Sequence, residues 1–500
     1  MKVLAMYLPQ FHRVRENDEW WGDGFTDWKP TREAVPLFEN HYQPHIPFKN
    51  NYYDLLQKET LRWQADLMHQ YGIDGMCMYH YWFKDGRQIL EKPVENLLEW
   101  KDIDMPFCLY WANESWIRSW SKLKNANAWT NDSEVKQNDD TRGILLEQSY
   151  GEKEEWRAHF EYLLPFFKDD RYIKIDGKPV FMIYKCDSIY CIEEMLEYWR
   201  ALAKENGFPD LYVIGAYADS ISKNTLDAKL RHEPPKSIGV LREEYRTSDA
   251  IQIDYKKIND YILGSEISDN TYLCAFPGYD DTPRRGKNGV VLTESNPDEF
   301  EKYLRLFMAK NEKAGLDITF INAWNEWGEG MHLEPDEKYG DALLLAIKNA
   351  KETYKKDMHN LDLYEEKKAD LSCLEKRAEK FEKYLNALDT WMTLREEGKS
   401  LVEYFYRRNI SKIAIYGYGI LGRHLEVELK DSSVQVVGII DKQKEKIISD
   451  YPVYFPSELL PDCDAIVVSA FYFLNEIMID LPKNCEIISL EEIINEVCLL

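Results

Sequence analysis

The stretch that decides the fold is Ile318-Thr319-Phe320-Ile321-Asn322-Ala323-Trp324-Asn325-Glu326-Trp327-Gly328-Glu329-Gly330. It begins as a short apolar run, which is typical of a buried strand, and continues into a segment rich in tryptophan, carboxylate and glycine. Glu326 and Glu329 are three residues apart, so on a helical turn they would face the same side with Cβ atoms about 5–6 Å apart. The pattern predicts a buried strand whose carboxyl end presents two acids.

Two acids at this spacing favour chemistry on a glycosidic bond. Retaining glycosidases place their two carboxyl groups roughly 5 Å apart. A carboxylate close to another tends to have a raised pKa, as a general acid requires at neutral pH. Trp324 and Trp327 would supply flat apolar faces for a sugar ring. The alternative is a solvated loop whose acids keep the surface soluble, which so many tryptophans disfavour.

The first 350 residues repeat this alternation of apolar runs and longer amphipathic stretches. Eight strands separated by helical segments favour the α/β class and a (β/α)8 TIM barrel. The sixth strand is the least distinct, because Ala250–Tyr255 competes with Leu226–Leu230 for that place. The eight runs are Val3–Leu8, Gly75–Tyr81, Phe107–Trp111, Val180–Tyr184, Leu211–Ala216, Leu226–Leu230, Tyr272–Phe276 and Ile318–Ala323.

Polar and aromatic motifs follow the carboxyl ends of these runs. In a barrel those ends converge on one mouth, where enzymes of this fold carry out their chemistry. We therefore expect a single site built from several loops. The motifs are Pro9-Gln10-Phe11-His12, Tyr79-His80-Tyr81-Trp82, Trp111-Ala112-Asn113-Glu114-Ser115-Trp116, His232-Glu233-Pro234 and Gly278-Tyr279-Asp280-Asp281.

Several side chains in these loops are candidates for binding a sugar. Asp27 and Trp28 combine an acid with an aromatic platform, unless they only anchor a packed loop. Asn113 and Glu114 would hydrogen-bond sugar hydroxyls, and the alternative for Glu114 is an ion pair at the barrel rim. A lone histidine near a strand is often structural, which weakens the histidines among the remaining candidates. Those candidates are Tyr7, His12, His80, Trp111, Trp116, Trp324, Asn325 and Trp327.

An acidic and basic cluster follows the seventh run. The guanidinium fork of arginine binds carboxylate or phosphate through two parallel hydrogen bonds. Arg284 and Arg285, together with Asp280, would therefore hold an acidic sugar or the pyrophosphate of a lipid-linked or nucleotide-linked donor. The alternative is that the arginines form ion pairs with Asp280 or Asp281.

Length and composition exclude several classes of protein. Five hundred residues exceed one ordinary core, so two or three domains are expected. The net charge of −25 disfavours nucleic acid as a partner. The nine cysteines are odd in number and form no Cys-x-x-Cys, which indicates reduced thiols in a cytoplasmic protein and no metal site. The N-terminal apolar run is too short for a signal peptide, and no segment is apolar enough to span a membrane.

A charged helical stretch, residues 351–409, follows the barrel. Apolar residues such as Leu374, Ala378, Phe381 and Leu385 recur at helical intervals and predict an amphipathic linker. We expect it to pack on its own chain, because the stripe is too short for a sustained coiled coil, although it could also pair with a partner helix.

Residues 410–500 have the pattern of a small Rossmann-like α/β domain. Gly417, Gly419 and Gly422 follow one predicted strand and open a helix, and Asp441 ends the next strand. This is the dinucleotide-binding pattern, in which glycines allow a tight turn and the acid holds ribose hydroxyls. The region is roughly half of a full dinucleotide fold, so the alternative is a module with an empty pocket.

Five motifs, in order along residues 1 to about 350, closely resemble the WbsX family. Members of that family are named glycosyltransferases, occur in O-antigen and capsule biosynthesis, and have a glycoside hydrolase family 99-like domain akin to the endo-α-mannosidases. The C-terminal ninety residues resemble, more weakly, the nucleotide-binding-like modules of polysaccharide-biosynthesis proteins. The five motifs are Met6-Tyr7-Leu8-Pro9-Gln10-Phe11-His12, Gly24-Phe25-Thr26-Asp27-Trp28, Trp111-Ala112-Asn113-Glu114-Ser115-Trp116, Gly278-Tyr279-Asp280-Asp281-Thr282-Pro283-Arg284-Arg285 and Trp324-Asn325-Glu326-Trp327-Gly328-Glu329-Gly330.

The resemblance implies roles for the acid pair. In the endo-α-mannosidases the first carboxylate of the Asn-Glu-Trp-x-Glu-Gly motif assists the sugar's own 2-hydroxyl in attacking the anomeric carbon. The second carboxylate protonates the leaving oxygen. These residues match Glu326 and Glu329. One position departs from the pattern, because the true hydrolases usually have histidine where this chain has Gly328.

The resemblance also implies a carbohydrate-active enzyme of bacterial surface polysaccharide or lipopolysaccharide biosynthesis. Its substrate would be an oligo- or polysaccharide that could be lipid-linked, and it could associate peripherally with the biosynthetic complex. The barrel would need no cofactor, whereas the C-terminal domain could hold a nucleotide or nucleotide-sugar. The alternatives are an endo-acting α-glycoside hydrolase and a non-catalytic glycan-binding scaffold.

Overall fold

A computed structural model describes residues 1–117, 144–222, 224–245, 247, 250–357, 361, 380–459, 462–474, 477–478, 481 and 485–499. The chain divides into two compact units, Met1–Glu365 and Glu366–Leu500. The first unit contains a barrel, and the second contains a smaller parallel sheet with helices. Within the described residues, no helix is long and apolar enough to cross a membrane.

Eight parallel strands close into a barrel in the first unit, which confirms the predicted fold class. Each strand pairs with its neighbours in chain order, and the first strand also pairs with the eighth, so the sheet has no open edge. The barrel strands are β1 (Lys2–Tyr7), β2 (Gly75–His80), β3 (Phe107–Trp111), β4 (Lys178–Ile183), β5 (Tyr212–Ala216), β6 (Ala228–Arg231), β7 (Thr271–Ala275) and β8 (Ile318–Ile321).

The contested sixth strand is settled by the sheet pairing. Ala228–Arg231 pairs with both β5 and β7, so it occupies the place in the barrel. The competing segment forms the strand Ile251–Asp254, which pairs with Val290–Thr293 in a separate two-stranded sheet. Both segments bury alternate side chains, which explains why the sequence pattern could not separate them.

Helices connect most of the barrel strands. The described part of residues 217–227, between β5 and β6, contains no helix, so this connection departs from the predicted alternation. The helices of the first unit are α1 (Arg15–Trp21), α2 (Trp28–Glu33), α3 (Lys58–Tyr71), α4 (Lys92–Glu99), α5 (Lys153–Phe167), α6 (Ile192–Glu205), α7 (Pro235–Leu241), α8 (Tyr255–Gly264), α9 (Thr282–Arg285), α10 (Pro297–Lys313) and α11 (Ala342–Thr353).

The second unit contains a five-stranded parallel sheet, as expected for a small α/β domain. Its strands are β9 (Lys412–Tyr416), β10 (Gln435–Ile440), β11 (Val453–Tyr454), β12 (Ala465–Val468) and β13 (Glu486–Ser489), in the order β11-β10-β9-β12-β13. Its helices are residues 380–396, then Val402–Arg407, Ile420–Leu429 and Leu490–Cys498.

Part of the predicted helical linker lies outside the described residues, including Leu374 and Ala378. The helix at residues 380–396 buries Trp391 and Leu394 in the core of the second unit. Neither of these was among the predicted apolar positions, and the two predicted positions in this helix, Phe381 and Leu385, are exposed.

The buried side chain of Asn311 fastens helix α10 to the barrel. Its Oδ1 accepts a hydrogen bond from Leu273 N at 2.9 Å, and its Nδ2 donates to Thr319 Oγ1 at 3.0 Å. These contacts join the helix to β7 and β8 at once. The side chain is buried, so no water can replace the lost partners if it is removed.

We therefore predict that Asn311→Ala destabilises the barrel unit by about 1–3 kcal/mol, because it leaves buried polar groups unpaired. Urea unfolding of the full chain measures this loss. Asn206→Ala is the control, since Asn206 is exposed and also bonds a backbone carbonyl, and it should change stability by less than about 0.5 kcal/mol. Equal stability of the two variants would contradict the prediction.

Candidate active site

The segment that carries the two acids folds as a tight hairpin after β8. Asn325–Glu326 pairs in antiparallel fashion with Met331–His332. Directly after Glu326, the residues Trp327–Glu329 form one turn of 3-10 helix, which contains the second acid. Residues three apart eclipse one another in a 3-10 turn, so Glu326 and Glu329 project to the same side. Gly330 closes the turn with a φ of 62°, in the left-handed region that favours glycine.

Asn325 connects this hairpin to Leu8, which directly follows β1, the strand that pairs with β8. Its Oδ1 accepts from Leu8 N at 2.7 Å, and its Nδ2 donates to Leu8 O at 3.0 Å. An amide that matches a backbone N–H and C=O in this way fixes one segment against another. The predicted substrate residue Asn325 is fully buried, so in this structure its contacts position the acid pair.

Glu334, which the sequence analysis did not single out, anchors both tryptophans of the motif. Its carboxylate accepts hydrogen bonds from Trp324 Nε1 at 2.9 Å and Trp327 Nε1 at 2.7 Å. Gln64 Nε2 and the Tyr53 hydroxyl donate to the same carboxylate at 2.7 and 2.8 Å. Burial raises the pKa of Glu334 to about 7, against the lowering effect of these four donors.

The two tryptophans consequently lie beneath the site. Both indole rings are almost fully buried, and neither lines the cavity described below. Trp327 stacks on His332, with ring centroids 3.7 Å apart. The faces that were predicted to contact a sugar are used for packing inside the protein.

Arg284 brings three carboxylates together. Its NH1 donates to Glu329 Oε1 at 2.5 Å, and its NH2 lies 3.2 Å from Glu326 Oε2. The same NH2 is 3.1 Å from both oxygens of Asp27. The two predicted catalytic acids therefore share one guanidinium, which keeps their carboxyl groups close together at the end of β8.

Burial and several neighbouring charged groups shift the pKa of Glu326. Burial raises the pKa of Glu326 to about 8, and the nearby carboxylates of Glu329 and Asp27 add to this rise, while Arg284 opposes it. Glu326 therefore keeps its proton to a higher pH than an ordinary glutamate does.

A cavity of about 810 Å³ opens above these acids at the carboxyl ends of the strands. Its volume is in the range of sites that bury a ligand several rings long. Of the predicted site residues, Asp27, Glu114, Trp116, Arg284, Arg285, Glu326 and Glu329 line it. Its aromatic wall is formed by Trp21, Phe25, Tyr79, Tyr81, Trp116, Tyr184, Tyr217 and Tyr279.

A second polar centre lies after β3 and β4. Glu114 forms an ion pair with Lys185, with Oε1 and Nζ 2.5 Å apart, and both side chains line the cavity. Asn113 fixes this arrangement, because its Oδ1 accepts from Lys185 N at 2.8 Å and its Nδ2 donates to Lys185 O at 2.9 Å. Asn113 itself is buried and does not line the cavity.

His232 is a further cavity residue. Its Nδ1 is 3.1 Å from the Tyr110 hydroxyl, and its Nε2 is 3.4 Å from Asn322 Nδ2. Burial lowers the pKa of His232 to about 3, so the ring is neutral at ordinary pH. Its position after β6 was the signal in the sequence, where it was noted as part of a motif but not chosen as a site residue.

Four predicted substrate residues are buried away from the cavity. The Tyr7 hydroxyl donates to Gln64, and Trp28 Nε1 donates to the carbonyl of Tyr53. His80 Nε2 contacts His159 Nε2 at 2.8 Å, and Trp111 Nε1 donates to the carbonyl of Trp82. These side chains pack inside the barrel around the site. A position at the end of a strand is compatible with such packing as well as with a place in the cavity. Like His12, which is buried, none of them lines the cavity.

Asp280 also acts behind the cavity rather than within it. Its carboxylate accepts from His41 Nε2 at 2.7 Å and Gln43 Nε2 at 2.6 Å. Its backbone N–H donates to Glu329 O at 2.6 Å, so it holds the turn that carries the acid. Arg285 pairs with Asp281 at 2.9 Å, in agreement with the ion-pair alternative for that arginine.

The glycines of the second unit form the expected turn between β9 and the helix Ile420–Leu429. Gly417 has a φ of 85°, and a Cβ on Gly422 would lie 2.3 Å from Gly417 O, so both positions require glycine. Asp441 follows β10, but its carboxylate accepts from Tyr418 N at 2.9 Å and Gln443 N at 2.7 Å. Binding of a nucleotide at Gly417, Gly419, Gly422 and Asp441 remains a prediction. Among the residues that the structure describes, no three metal-ligating side chains come together.

The sequence matches one protein family and two curated relatives. A family model described as "Glycosyltransferase WbsX" matches residues 3–347. Two proteins named "Uncharacterized protein WxcX", from two strains of Xanthomonas campestris pv. campestris, are 30% identical over 373 residues. That match covers 70% of this chain and 49% of each relative, so the chain spans about half the length of the curated relatives that it matches.

Two solved structures each match about 70% of this chain. The GH99 endo-alpha-mannosidase from Bacteroides thetaiotaomicron is 12% identical with a TM-score of 0.41, covering 71% of this chain and 97% of that chain. A family 5 xyloglucanase from Paenibacillus pabuli is 9% identical with a TM-score of 0.36, covering 70% of this chain and 98% of that chain. Because the family model matches well over half of the sequence, this protein belongs to the WbsX glycosyltransferase family.

Proposed function

We propose that this enzyme makes or cleaves a glycosidic bond during the assembly of a bacterial surface polysaccharide. The observation that carries the proposal is the acid pair, Glu326 and Glu329, on one guanidinium at the floor of the large cavity. Glycosidic bond chemistry uses two carboxyl groups on either side of one anomeric carbon. The aromatic wall of the cavity suits the apolar faces of sugar rings.

The proposed reaction has two steps, and the protons balance in each. In the reactive form of the acid pair, the proton is on Glu329 and Glu326 is ionised. Glu326 takes the proton of the sugar's 2-hydroxyl while that oxygen attacks the anomeric carbon, and Glu329 gives its proton to the leaving oxygen. An acceptor hydroxyl then reopens the ring so formed. The acceptor hydroxyl transfers its proton to Glu329, while Glu326 returns a proton to the 2-oxygen. A sugar acceptor gives transfer, and water gives hydrolysis.

The proposed setting follows from the chemistry of the family and the cysteine pattern. An enzyme that degrades external polymers is usually secreted, whereas the scattered odd cysteines indicate a reducing compartment. We therefore propose a cytoplasmic enzyme that acts on an oligo- or polysaccharide intermediate, which could be lipid-linked. Peripheral association with the biosynthetic complex would bring such a substrate to the cavity.

Two other functions make different predictions for the same protein. An endo-acting hydrolase would release reducing sugar from an oligosaccharide without any glycosyl acceptor. A non-catalytic scaffold would bind glycan equally well after either acid is changed and would turn over no substrate. We favour catalysis over the scaffold because a buried glutamate with a raised pKa, Glu326, beside a second carboxylate in a cavity is typical of a functional site.

The first prediction concerns the acid pair itself. Glu326→Gln and Glu329→Gln preserve the side-chain shape but remove the ionisable group, so each should retain glycan binding and lose about 10²–10⁴-fold in rate. An activated aryl leaving group needs little protonation. Such a substrate should therefore partly rescue Glu329→Gln but not Glu326→Gln.

Glu352→Gln is the matched control, because Glu352 is exposed on helix α11, away from the cavity. It should keep the wild-type rate. Wild-type rates from both acid variants on a verified substrate would refute the assignment, and the site would then have to be sought around Asp27 and Glu114.

The pH profile gives a second prediction. The reaction starts with one proton on the acid pair, and burial together with repulsion from Glu329 raises the pKa of Glu326 to about 8. As the pH rises through about 8 the pair loses this proton, so kcat/KM should fall about tenfold per pH unit above that value. A rate that still increases beyond pH 8 would mean that the doubly ionised pair is the active form.

A third prediction concerns the second unit. If it holds a nucleotide, the phosphates should lie at the N-terminus of the helix Ile420–Leu429, beside Gly419. Calorimetric titration with NAD, nucleoside diphosphates and nucleotide-sugars should then give heat with at least one of them. The absence of heat with all three would leave this unit with a structural role.

A further inference from the structure

Arg284 is surrounded by protein carboxylates rather than by open cavity. Its two terminal nitrogens contact Asp27, Glu326 and Glu329, at distances between 2.5 and 3.2 Å. The side chain lines the cavity, with about a quarter of it exposed. The donors that a substrate phosphate would need are therefore used within the protein, in contrast with the substrate-binding role expected from the sequence.

Gly328 leaves the space that this guanidinium occupies. A Cβ added at this position would lie 2.9 Å from Arg284 Nε and 2.7 Å from Asp27 Oδ2. Side-chain carbons do not approach other atoms so closely, so the ion pair or the turn would have to move. The backbone of Gly328 is not in the left-handed region, so the cost of an added side chain is steric rather than conformational.

We propose that Arg284 is a positioning residue that holds the carboxylates of Glu326 and Glu329 on a single guanidinium, and that Gly328 is required to make room for it. This inference rests on the proposed function of the acid pair and adds the residues that set its geometry. It also gives a physical reason for glycine at the one position where the motif departs from the hydrolase pattern. A larger side chain at position 328 and the observed placement of Arg284 exclude each other.

The charges around Glu326 determine what Arg284 should do. The groups facing it are Asp27 before α2, Glu329 on its own turn, Tyr79 and Tyr81 near the end of β2, and Arg284 on α9. The two phenols are neutral, because burial raises the pKa of each tyrosine. Arg284 is thus the cation among three carboxylates, and it favours their ionised forms.

The first test needs no substrate. Carbon-13 labelling of the glutamate carboxyl groups, with Glu326→Gln to assign the signal, allows the titration of Glu326 to be followed by NMR. Arg284→Ala should raise the pKa of Glu326 by about 1–3 pH units, the usual effect of removing an arginine beside a carboxylate. Arg284→Lys keeps the charge but not the fork, so it should give a smaller rise.

Arg13→Ala is the matched control for this titration. Arg13 also bridges two carboxylates, those of Asp18 and Asp23, but it does so on the surface and outside the cavity. Its removal should leave the titration of Glu326 unchanged. An unchanged titration in Arg284→Ala as well would overturn the proposal.

The second test uses turnover on a verified substrate. Arg284→Ala should lower kcat by about 10²-fold, the loss expected when catalytic groups are displaced by an ångström or so, with a smaller effect on KM. Added methylguanidinium should restore part of this loss by filling the vacated space. It should not restore Arg284→Ala combined with Gly328→Ala, because the new Cβ occupies that space.

Gly328→Ala alone should also lower kcat, and in the Arg284→Ala background it should have little further effect, since the clashing partner is already gone. Fully additive losses from the two changes would contradict the proposed coupling. A calorimetric titration with inorganic pyrophosphate tests whether Arg284 instead binds a phosphate group of the substrate. Pyrophosphate binding that disappears in Arg284→Ala, while the Glu326 titration stays the same, would make Arg284 a substrate anchor and overturn the proposal.

These outcomes are separate from failure of the proposed function. Wild-type turnover by Glu326→Gln would refute catalysis by the acid pair, yet the NMR titration would still report whether Arg284 controls the ionisation of Glu326. Conversely, turnover that depends on both acids but not on Arg284 would retain the function and reject the positioning role.

Discussion

The buried carboxylate of Glu334 is the interaction on which the geometry of the site depends. Among the described residues it forms no ion pair, and four neutral donors compensate for its burial: two indoles, an amide and a phenol. A buried acceptor with that many partners is costly to disturb, because losing one donor leaves the others around a poorly solvated charge. Since two of the donors are Trp324 and Trp327, Glu334 fixes both ends of the segment that contains Glu326.

The acid pair is stabilised in a different way. Glu326 and Glu329 depend on Arg284 rather than on neutral donors, and the neighbouring Asp27 shares the same guanidinium. One cation does not fully balance three carboxylates, and together with burial this raises the pKa of Glu326. The carboxylate that only supports the fold is therefore surrounded by rigid hydrogen-bond donors. The carboxylates at the cavity are left with an ionisation that substrate can alter.

The sequence was sufficient for the fold because each barrel strand is a short apolar run with polar residues after it. All eight predicted runs became barrel strands, and only the sixth needed the structure, since two segments of similar pattern competed for one place. Side-chain direction could not be predicted in the same way. Trp324 and Trp327 have the composition of a sugar platform, but whether an indole faces a cavity or the core depends on a partner such as Glu334, which lies several residues further along.

The same limit applies to the charged residues. The sequence placed Arg284 near the site but could not distinguish a bound phosphate from a protein carboxylate as its partner, because both suit the guanidinium fork. The answer depends on Asp27, more than two hundred residues away, and on the missing side chain at Gly328. Contacts between loops after different strands are set by barrel closure, and no local pattern records them.

The two halves of the barrel mouth consequently have different tasks. The carboxylates of the proposed acid pair, Asp27 and Arg284 come from the loops after β1, β7 and β8, where backbone hydrogen bonds such as that from Asp280 to Glu329 hold them together. The loops after β3 to β6 contribute the Glu114–Lys185 pair and the neutral ring of His232, and they shape the opposite wall of the cavity. In the proposed reaction, transfer and hydrolysis would use the same two acids and differ only in the hydroxyl that arrives second. The choice between them should therefore depend on how that opposite wall admits a sugar or water, and the motif at residues 324–330 alone does not determine it.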